Sequence, residues 1–216
     1  MEIVFLGHSS FRLKGKTASL VTDPFDPEMV GLKFPKVAAD IVTISHEHED
    51  HNKAELIKNI KKIVSGPGEY EINEVSIIGI SLYHDDKKGK LRGKNTVYVI
   101  EMDGLRIVHL GDLGHKLSEK ILEAIGDVDI LMVPIGGEYT IGSMQAAEVV
   151  RSIEPKIVIP MHYQMPKLNP EIFKKLSTVK PFLTEMGLPV EKTDKLSINA
   201  GTIGEEQKVI VLEIKQ

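Results

Sequence analysis

The chain has 216 residues, of which 27 are Lys or Arg and 31 are Asp or Glu, so its formal net charge is −4. Nucleic-acid-binding domains are usually basic, and this balance therefore argues against nucleic acid as the partner. The chain contains no cysteine, which excludes disulfides and every metal site built on thiolates.

Short runs rich in β-branched residues predict strands through most of the chain. In chain order they cover residues 2–6, 11–13, 19–22, 41–45, 62–64, 75–82, 96–101, 106–110, 130–133, 157–160 and 209–214. Asp103-Gly104 predicts a hairpin turn, because both residue types tolerate the positive φ that such a turn requires. Helices are predicted over residues 53–60, 118–125, 143–153 and 171–176.

Many strands, several helices and strand pairs that look antiparallel exclude a simple βα barrel or a doubly wound sheet. The pattern predicts an α+β fold in which two sheets pack face to face and helices cover the outer faces. No segment reaches the roughly 18 apolar residues of a membrane span, and the first residues lack a basic stretch typical of signal peptides. We expect one cytoplasmic domain over residues 1–216 that acts on a small molecule and contacts neither nucleic acid nor membrane. The sequence leaves open whether the chain forms a homo-oligomer.

The motif His46-Glu47-His48-Glu49-Asp50-His51 directly follows a predicted strand. Side chains two positions apart on a strand point the same way, so His46 and His48 can hold one ion. The following turn can bring Asp50 and His51 to a second position nearby. Imidazole and carboxylate ligands suit Zn²⁺ and similar first-row ions.

Three further candidate ligands each follow an apolar strand: His84, Asp112 and His162. Strand ends that meet at one edge of a sandwich would bring these side chains together. Their shared position therefore favours a metal-ligand role over a surface role.

These residues resemble the motifs of the metallo-β-lactamase fold hydrolases. Asp23-Pro24 resembles the first motif, residues 46–51 the second, and His84, Asp112 and His162 the third, fourth and fifth. Several short segments resemble the ascorbate-6-phosphate lactonase group most closely: Gly7-His8-Ser9-Ser10, Thr22-Asp23-Pro24-Phe25, Pro134-Ile135-Gly136-Gly137 and Pro160-Met161-His162-Tyr163.

The resemblance implies a four-layer αββα sandwich with a binuclear site. His46, His48 and His84 would hold the first metal, Asp50, His51 and His162 the second, and Asp112 would bridge them. The cofactor implied is a pair of divalent ions, with Zn²⁺ favoured and Mn²⁺ or Fe²⁺ as alternatives. Asp23 is expected to be structural and to accept hydrogen bonds from the loop after Ser45.

The expected reaction is hydrolysis of a small, anionic ester, lactone or phosphoester. Two cations close together lower the pKa of a bridging water to near neutral, which creates a hydroxide nucleophile. Asp50 is the candidate catalytic residue, which orients this nucleophile and later carries its proton. We expect Asp50→Ala to remove most turnover and to leave the fold intact.

Weaker signals suggest substrate contacts at His8, Lys87, Arg92, His115 and Thr140. The loop over residues 85–95 carries five cationic side chains beside His84, which would attract a phosphate or carboxylate. His109 lies one position out of register with Asp112, and we expect it to be a core or supporting histidine.

Three other functions stay open at this point. The first is a phosphodiesterase or nuclease on the same fold, and the second is a diiron redox module. Related diiron proteins place a carboxylate at the second ligand position, where this chain has His48. The third is a non-catalytic sensor that keeps the metals.

Overall fold

The computed structural model describes residues 1–214. Its strands, in chain order, are β1 (Glu2–Gly7), β2 (Ser10–Lys14), β3 (Ser19–Thr22), β4 (Ile41–Ile44), β5 (Lys62–Ser65), β6 (Gly68–Ile72), β7 (Val75–Tyr83), β8 (Lys94–Met102), β9 (Leu105–His109), β10 (Ile130–Pro134), β11 (Ile157–Met161), β12 (Val190–Thr193), β13 (Leu196–Ser197) and β14 (Lys208–Leu212). The helices are α1 (Pro27–Val30), α2 (Glu119–Ile125), α3 (Ser143–Ile153), α4 (Pro170–Phe173) and α5 (Val179–Met186).

Two mixed sheets form the framework. One has the strand order β13-β1-β2-β3-β4-β5, and the other has the order β12-β14-β11-β10-β9-β8-β7-β6. The expectation of antiparallel pairs is right for β1 to β3 and for β6 to β9. It is wrong for β3, β4 and β5 and for β9, β10, β11, β14 and β12. Neighbours within each of these two sets pair in parallel, because crossover connections join them.

The main core lies between the two sheets, and a second core lies behind the larger one. In β8, Tyr98 and Ile100 face the smaller sheet, whereas Val97 and Val99 face the other way. This is the period-2 alternation of a strand buried on both faces. The Tyr98 hydroxyl donates to Ile44 O at 2.7 Å and accepts from Gly66 N at 3.0 Å, so it joins the two sheets beneath the motif at residues 46–51.

Helices cover both outer faces, which confirms the expected α+β fold with a four-layer αββα sandwich. α3 buries Ala146, Ala147 and Val150 in the core behind the larger sheet, together with residues of α2 and α5. Residues of α1 and α4 pack behind the smaller sheet. Among residues 1–214, no helix is long and apolar enough to cross a membrane.

The predicted helix over residues 53–60 is wrong. Only a single 3₁₀ turn forms there, at Ala54–Leu56. The segment then runs beside residues 37–40, where Lys58 N donates to Val37 O and Lys58 O accepts from Ala39 N. These backbone groups are therefore used between segments rather than within a helix. The prediction also missed α5, whose Pro181 lies in the first turn, where proline is tolerated.

Candidate metal centre and active site

The loop that carries residues 46–51 is held in place by Asp23. Asp23 follows β3 with a positive φ of 38° and is fully buried. Its carboxylate accepts hydrogen bonds from Ser45 N at 2.8 Å, Ser45 Oγ at 2.6 Å and His51 Nδ1 at 2.8 Å. Because a carboxylate only accepts, His51 Nδ1 carries the proton of this hydrogen bond, and Nε2 is the nitrogen that faces the candidate ligand group. The structural role expected of Asp23 is confirmed, and Asp23 also sets the tautomer of His51.

The structure brings all seven predicted ligands together at one end of the two sheets. His46, His48 and His84 offer ligand atoms that lie within 4.8 Å of one another. A second group, defined in the same way, contains Asp50, His51 and His162 together with His8.

Asp112 lies between these two groups. Its Oδ2 is 3.2 Å from His84 Nε2 in the first group, and 3.3 Å and 3.2 Å from the Nε2 atoms of His51 and His162 in the second. His46 Nε2 is 4.0 Å away. This is the position that a carboxylate shared between two ions would take.

The buried atoms of the site fit a cation as their missing partner. Among residues 1–214, the Nε2 atoms of His46, His51 and His162 and Oδ1 of Asp112 are buried without a hydrogen-bond partner. These three nitrogens lie 3.2 to 4.0 Å from Asp112 Oδ2, yet none makes a hydrogen bond to it. A buried polar atom without a partner costs about 1–3 kcal/mol. Nitrogen and oxygen donors that converge in this way suit divalent first-row ions.

Hydrogen bonds behind the site orient the ligand side chains. Ser45 Oγ lies 2.9 Å from His46 Nδ1. Asn95 is fully buried, accepts from Asp112 N at 2.9 Å and donates to Leu110 O at 2.9 Å. Such supporting contacts fix ring and carboxylate orientation around a metal. The sequence suggested substrate contacts in the segment that includes Asn95, whereas the structure places Asn95 behind Asp112.

Burial and the mutual fields of these groups shift their pKa values. Burial, reinforced by His51, lowers the pKa of His46 well below its ordinary value. Burial alone would raise the pKa of Asp112, but His162 and His51 overcome it and hold that pKa well below its usual range. Burial lowers the pKa of His51, but Asp112 and Asp50 reverse this and raise it. Asp112 is therefore ionised and His46 neutral, which are their metal-binding forms.

A model of the beta-lactamase superfamily domain matches residues 2–162. A protein named as a metal-dependent hydrolase in Thermococcus onnurineus is 32% identical over 206 residues, which cover 82% of this chain and 92% of the relative. The chain belongs to the metallo-β-lactamase superfamily of metal-dependent hydrolases.

Further relatives agree with this assignment. A metal-dependent hydrolase of Thermoplasma acidophilum is 31% identical and covers 88% of this chain and 98% of its own length. A crystal structure from Thermotoga maritima, described as a candidate zinc-dependent hydrolase of the superfamily, has a TM-score of 0.83 and 38% identity. That match covers 99% of each chain.

The weaker substrate candidates of this superfamily member lie in different environments. Lys87 is exposed, and its ammonium lies 3.2 Å from Asp86. Thr140 Oγ1 donates to the neighbouring backbone carbonyl at 3.2 Å. Arg92 lies over the Tyr139 ring, with its guanidinium carbon 5.4 Å from the ring centroid. Arg92 is therefore the candidate with the most defined position.

Three histidines outside the predicted ligand set have their ring nitrogens occupied or buried. His115 Nε2 accepts from Tyr83 N at 3.2 Å and His115 Nδ1 donates to Lys116 O at 2.8 Å, so neither nitrogen is free for a substrate. His109 is fully buried with Nε2 2.8 Å from Ser9 O, which confirms a core role. His8 is also fully buried and contacts Asp50 rather than the open side of the site.

Proposed function

We propose that this protein is a binuclear divalent-metal hydrolase of a small anionic ester, lactone or phosphoester. The observation that carries the proposal is the position of Asp112 between two groups of ligand atoms, with buried Nε2 atoms that have no hydrogen-bond partner among residues 1–214. His46, His48 and His84 would hold one ion. Asp50, His51 and His162 would hold the other, and Asp112 would contact both.

When bound, two divalent ions would lower the pKa of a coordinated water to near neutral and would neutralise negative charge that develops on the substrate. Zn²⁺ is the ion that this donor set favours, and Mn²⁺ and Fe²⁺ are the alternatives. The residues of the chain supply orientation, charge and proton transfer.

Asp50 is the residue best placed to orient the nucleophile. Its side chain keeps 10% of its surface exposed, although the groups around it are buried. Burial alone would raise the pKa of Asp50, but His51 and the hydrogen bond from His8 lower it, so the carboxylate is ionised. An ionised carboxylate can accept the hydrogen bond of an attacking water and pass the proton on to the leaving group.

The loop after His84 supports an anionic substrate. The Asp85 carboxylate accepts hydrogen bonds from four backbone N–H groups in this loop, at 2.8 to 2.9 Å: those of Lys87, Gly89, Leu91 and Arg92. These bonds hold the cationic loop in one shape beside the site.

Within that loop Arg92 lies over the ring of Tyr139. Arg92 Nη2 donates to Glu138 O at 3.1 Å. Among residues 1–214, the arginines with a carboxylate within 4.0 Å are Arg106 and Arg151, so Arg92 has no such partner. The Tyr139 ring in turn lies 6.4 Å from the His162 ring. An Arg without a carboxylate partner at this position can bind a substrate carboxylate or phosphate through two parallel hydrogen bonds.

Metal content per chain is the first test, measured by elemental analysis on protein purified without chelator. We expect about two zinc or manganese ions per chain, and iron near two per chain would favour the diiron redox alternative. Failure to bind metal, even on titration, would overturn the proposal.

Turnover is the second test, with a panel of lactones, 4-nitrophenyl esters and bis(4-nitrophenyl) phosphate. We expect Asp50→Ala to lower kcat by about 10²–10⁴-fold. Glu49→Ala removes an exposed carboxylate one residue away and should stay within about twofold of wild type. Two bound metals without turnover of any member would instead favour the sensor alternative.

A further inference from the structure

His8 is enclosed in the interior behind the candidate metal centre. It follows β1 with a positive φ of 56°, and none of its surface is exposed. Its ring centroid lies 4.1 Å from that of His162, 5.1 Å from that of Phe173 and 5.2 Å from that of His51. The His8 carbonyl accepts a hydrogen bond from His162 N at 2.9 Å. The ring is therefore fixed in one orientation, and a substrate in the open site cannot reach it.

One ring nitrogen of His8 is aimed at Asp50. His8 Nε2 lies 3.1 Å from Asp50 Oδ2 with hydrogen-bond geometry. The histidine nitrogens of the predicted ligand set differ, because the Nε2 atoms of His46, His51 and His162 lie near carboxylates without that geometry. Since an ionised carboxylate has no proton to give, the proton of this hydrogen bond lies on His8 Nε2. A protonated nitrogen cannot ligate a metal.

We propose that His8 is a positioning residue, which donates its Nε2 proton to Asp50 and thereby fixes the orientation of the Asp50 carboxylate. This inference rests on the proposed function, in which Asp50 holds the second ion and orients the nucleophile. Asp50 Oδ2, which also lies 3.7 Å from His51 Nε2, is thereby held at the second ligand group. His8 itself contacts neither substrate nor metal.

The carboxylate partners of the His51 and His8 rings support this assignment. His8, Asp50, His51 and His162 offer atoms within 4.8 Å of one another, so a ligand role for His8 is the alternative to be tested. His51 has a carboxylate, Asp23, on its Nδ1, as metal-binding histidines commonly do. His8 has its carboxylate on Nε2 instead, and within the described part of the chain its buried Nδ1 has no hydrogen-bond partner. In the zinc-loaded protein, the two roles predict opposite protonation of the His8 ring.

The decisive measurement is the tautomer of His8 in the zinc-loaded protein, read from the ¹⁵N chemical shifts of its ring. We expect a proton on Nε2 and a lone pair on Nδ1. A His8 with its proton on Nδ1 and its Nε2 bound to zinc would overturn the proposal. This readout needs no substrate, so it decides the role of His8 even if no member of the substrate panel is hydrolysed.

Substitutions of His8 provide a second test. His8→Leu removes the donor, and we expect it to weaken binding of one ion by about 10–100-fold while the other ion stays tight. In His8→Gln the amide can still donate, so this variant should recover most of the lost affinity. Phe25→Leu is the packing control, since its ring lies 6.5 Å from His8 and has no hydrogen bond to lose. Equal loss of one ion in His8→Leu and His8→Gln would indicate a ligand and contradict the proposal.

The kinetic pattern separates positioning from simple structural support. On any substrate found in the panel, His8→Leu should lower kcat by more than about tenfold with KM within about twofold. Phe25→Leu should lower stability without moving kcat or metal affinity. If His8→Leu behaves as Phe25→Leu does, the residue is structural only and the proposal fails. If wild type binds no second ion, the proposed function fails first, and the two results are distinguishable.

Discussion

The hydrogen bonds of Asp23 allow a sharp prediction for Asp23→Asn. The amide is nearly the same size as the carboxylate, so packing is kept while one acceptor oxygen becomes a donor. The least costly orientation keeps an oxygen for Ser45 N, which donates at 2.8 Å. The new NH₂ group then faces Ser45 Oγ and His51 Nδ1. The serine hydroxyl can rotate to accept, but His51 has to lose its Nδ1 proton or the hydrogen bond.

The expected loss in the free energy of unfolding follows from these three hydrogen bonds. A hydrogen bond to a charged group contributes about 1.5–3 kcal/mol, and two of the three around Asp23 are lost or replaced by weaker neutral bonds. Burial of a neutral amide costs less than burial of a carboxylate, and this difference offsets part of the lost hydrogen-bond stability. We expect Asp23→Asn to lower the free energy of unfolding by about 2–4 kcal/mol.

The same substitution should weaken metal binding through His51. If the His51 proton moves from Nδ1 to Nε2, the lone pair that faces the site is lost. We expect an affinity loss of about 10–100-fold for one ion. Urea unfolding in chelator measures the stability effect without metal, and chelator competition measures the affinity. Asp26→Asn, which keeps a good N-cap residue on α1, should change neither quantity.

The reasoning would be refuted if Asp23→Asn unfolded within about 0.5 kcal/mol of wild type and bound both ions normally. That result would mean that the three hydrogen bonds contribute no net stability and that the tautomer of His51 is set elsewhere. A loss of stability with unchanged metal affinity would refute only the second step.

Three further predictions concern other parts of the molecule. Gly111→Ala should destabilise the protein by about 1–3 kcal/mol, because its Cβ would lie 2.7 Å from a side-chain atom of Ser45 at a φ of 54°. Gly104→Ala supplies the control for backbone strain, because at a φ of 77° its Cβ would meet only Ala200 Cβ, at an ordinary 3.7 Å; thermal unfolding compares the two variants. Asp85→Ala should speed amide hydrogen exchange through the loop over residues 87–92, since four N–H groups lose their acceptor, whereas Asp86→Ala should not. Asp40 has a pKa lowered from 3.8 to about 2 by hydrogen bonds from Lys61 and Ser19. A depressed pKa stabilises the fold above the unfolded value and loses this effect as pH falls through the folded value. The stability advantage of wild type over Asp40→Asn should therefore be complete above about pH 5 and disappear towards about pH 2 in urea titrations; an advantage that is constant with pH would exclude this origin.

The sequence predicted most strands and the seven side chains that the structure gathers at one end of the sheets, because both depend on local patterns. The alternation in β8 and the apolar runs before His46, His84 and His162 can be read from residue order alone. Strand direction is different, because β3 to β5 run parallel through crossovers whose path depends on packing. The failed helix over residues 53–60 shows the same limit, since its backbone pairs with residues 37–40.

Supporting residues were harder to predict than ligands. Asn95 and Asp112 are 17 residues apart, and His8 and Asp50 are 42 residues apart. No periodicity connects such pairs, because the contact exists only after both sheets have formed. The sequence indicates a substrate contact for His8, whereas the structure shows a hydrogen bond to Asp50. Burial, which the sequence does not specify for one histidine, decides between these roles.

Three residues with a positive φ lie where strands lead into the site. Asp23 follows β3, His8 follows β1 and His162 follows β11, and all three have positive φ, between 38° and 56°. Each such residue costs of the order of 1–3 kcal/mol unless its surroundings compensate. Here the compensation comes from the hydrogen bonds and buried packing of these residues.

One of these contacts links the two sheets directly. His8 follows a strand of the smaller sheet and His162 a strand of the larger one, and the bond from His162 N to His8 O joins them at 2.9 Å. The second ligand group likewise draws Asp50 and His51 from the smaller sheet and His162 from the larger. The spacing of its ligand atoms therefore depends on how the sheets sit against each other. A large-to-small substitution in the core between the sheets should therefore weaken ion binding at the second ligand group before it unfolds the chain.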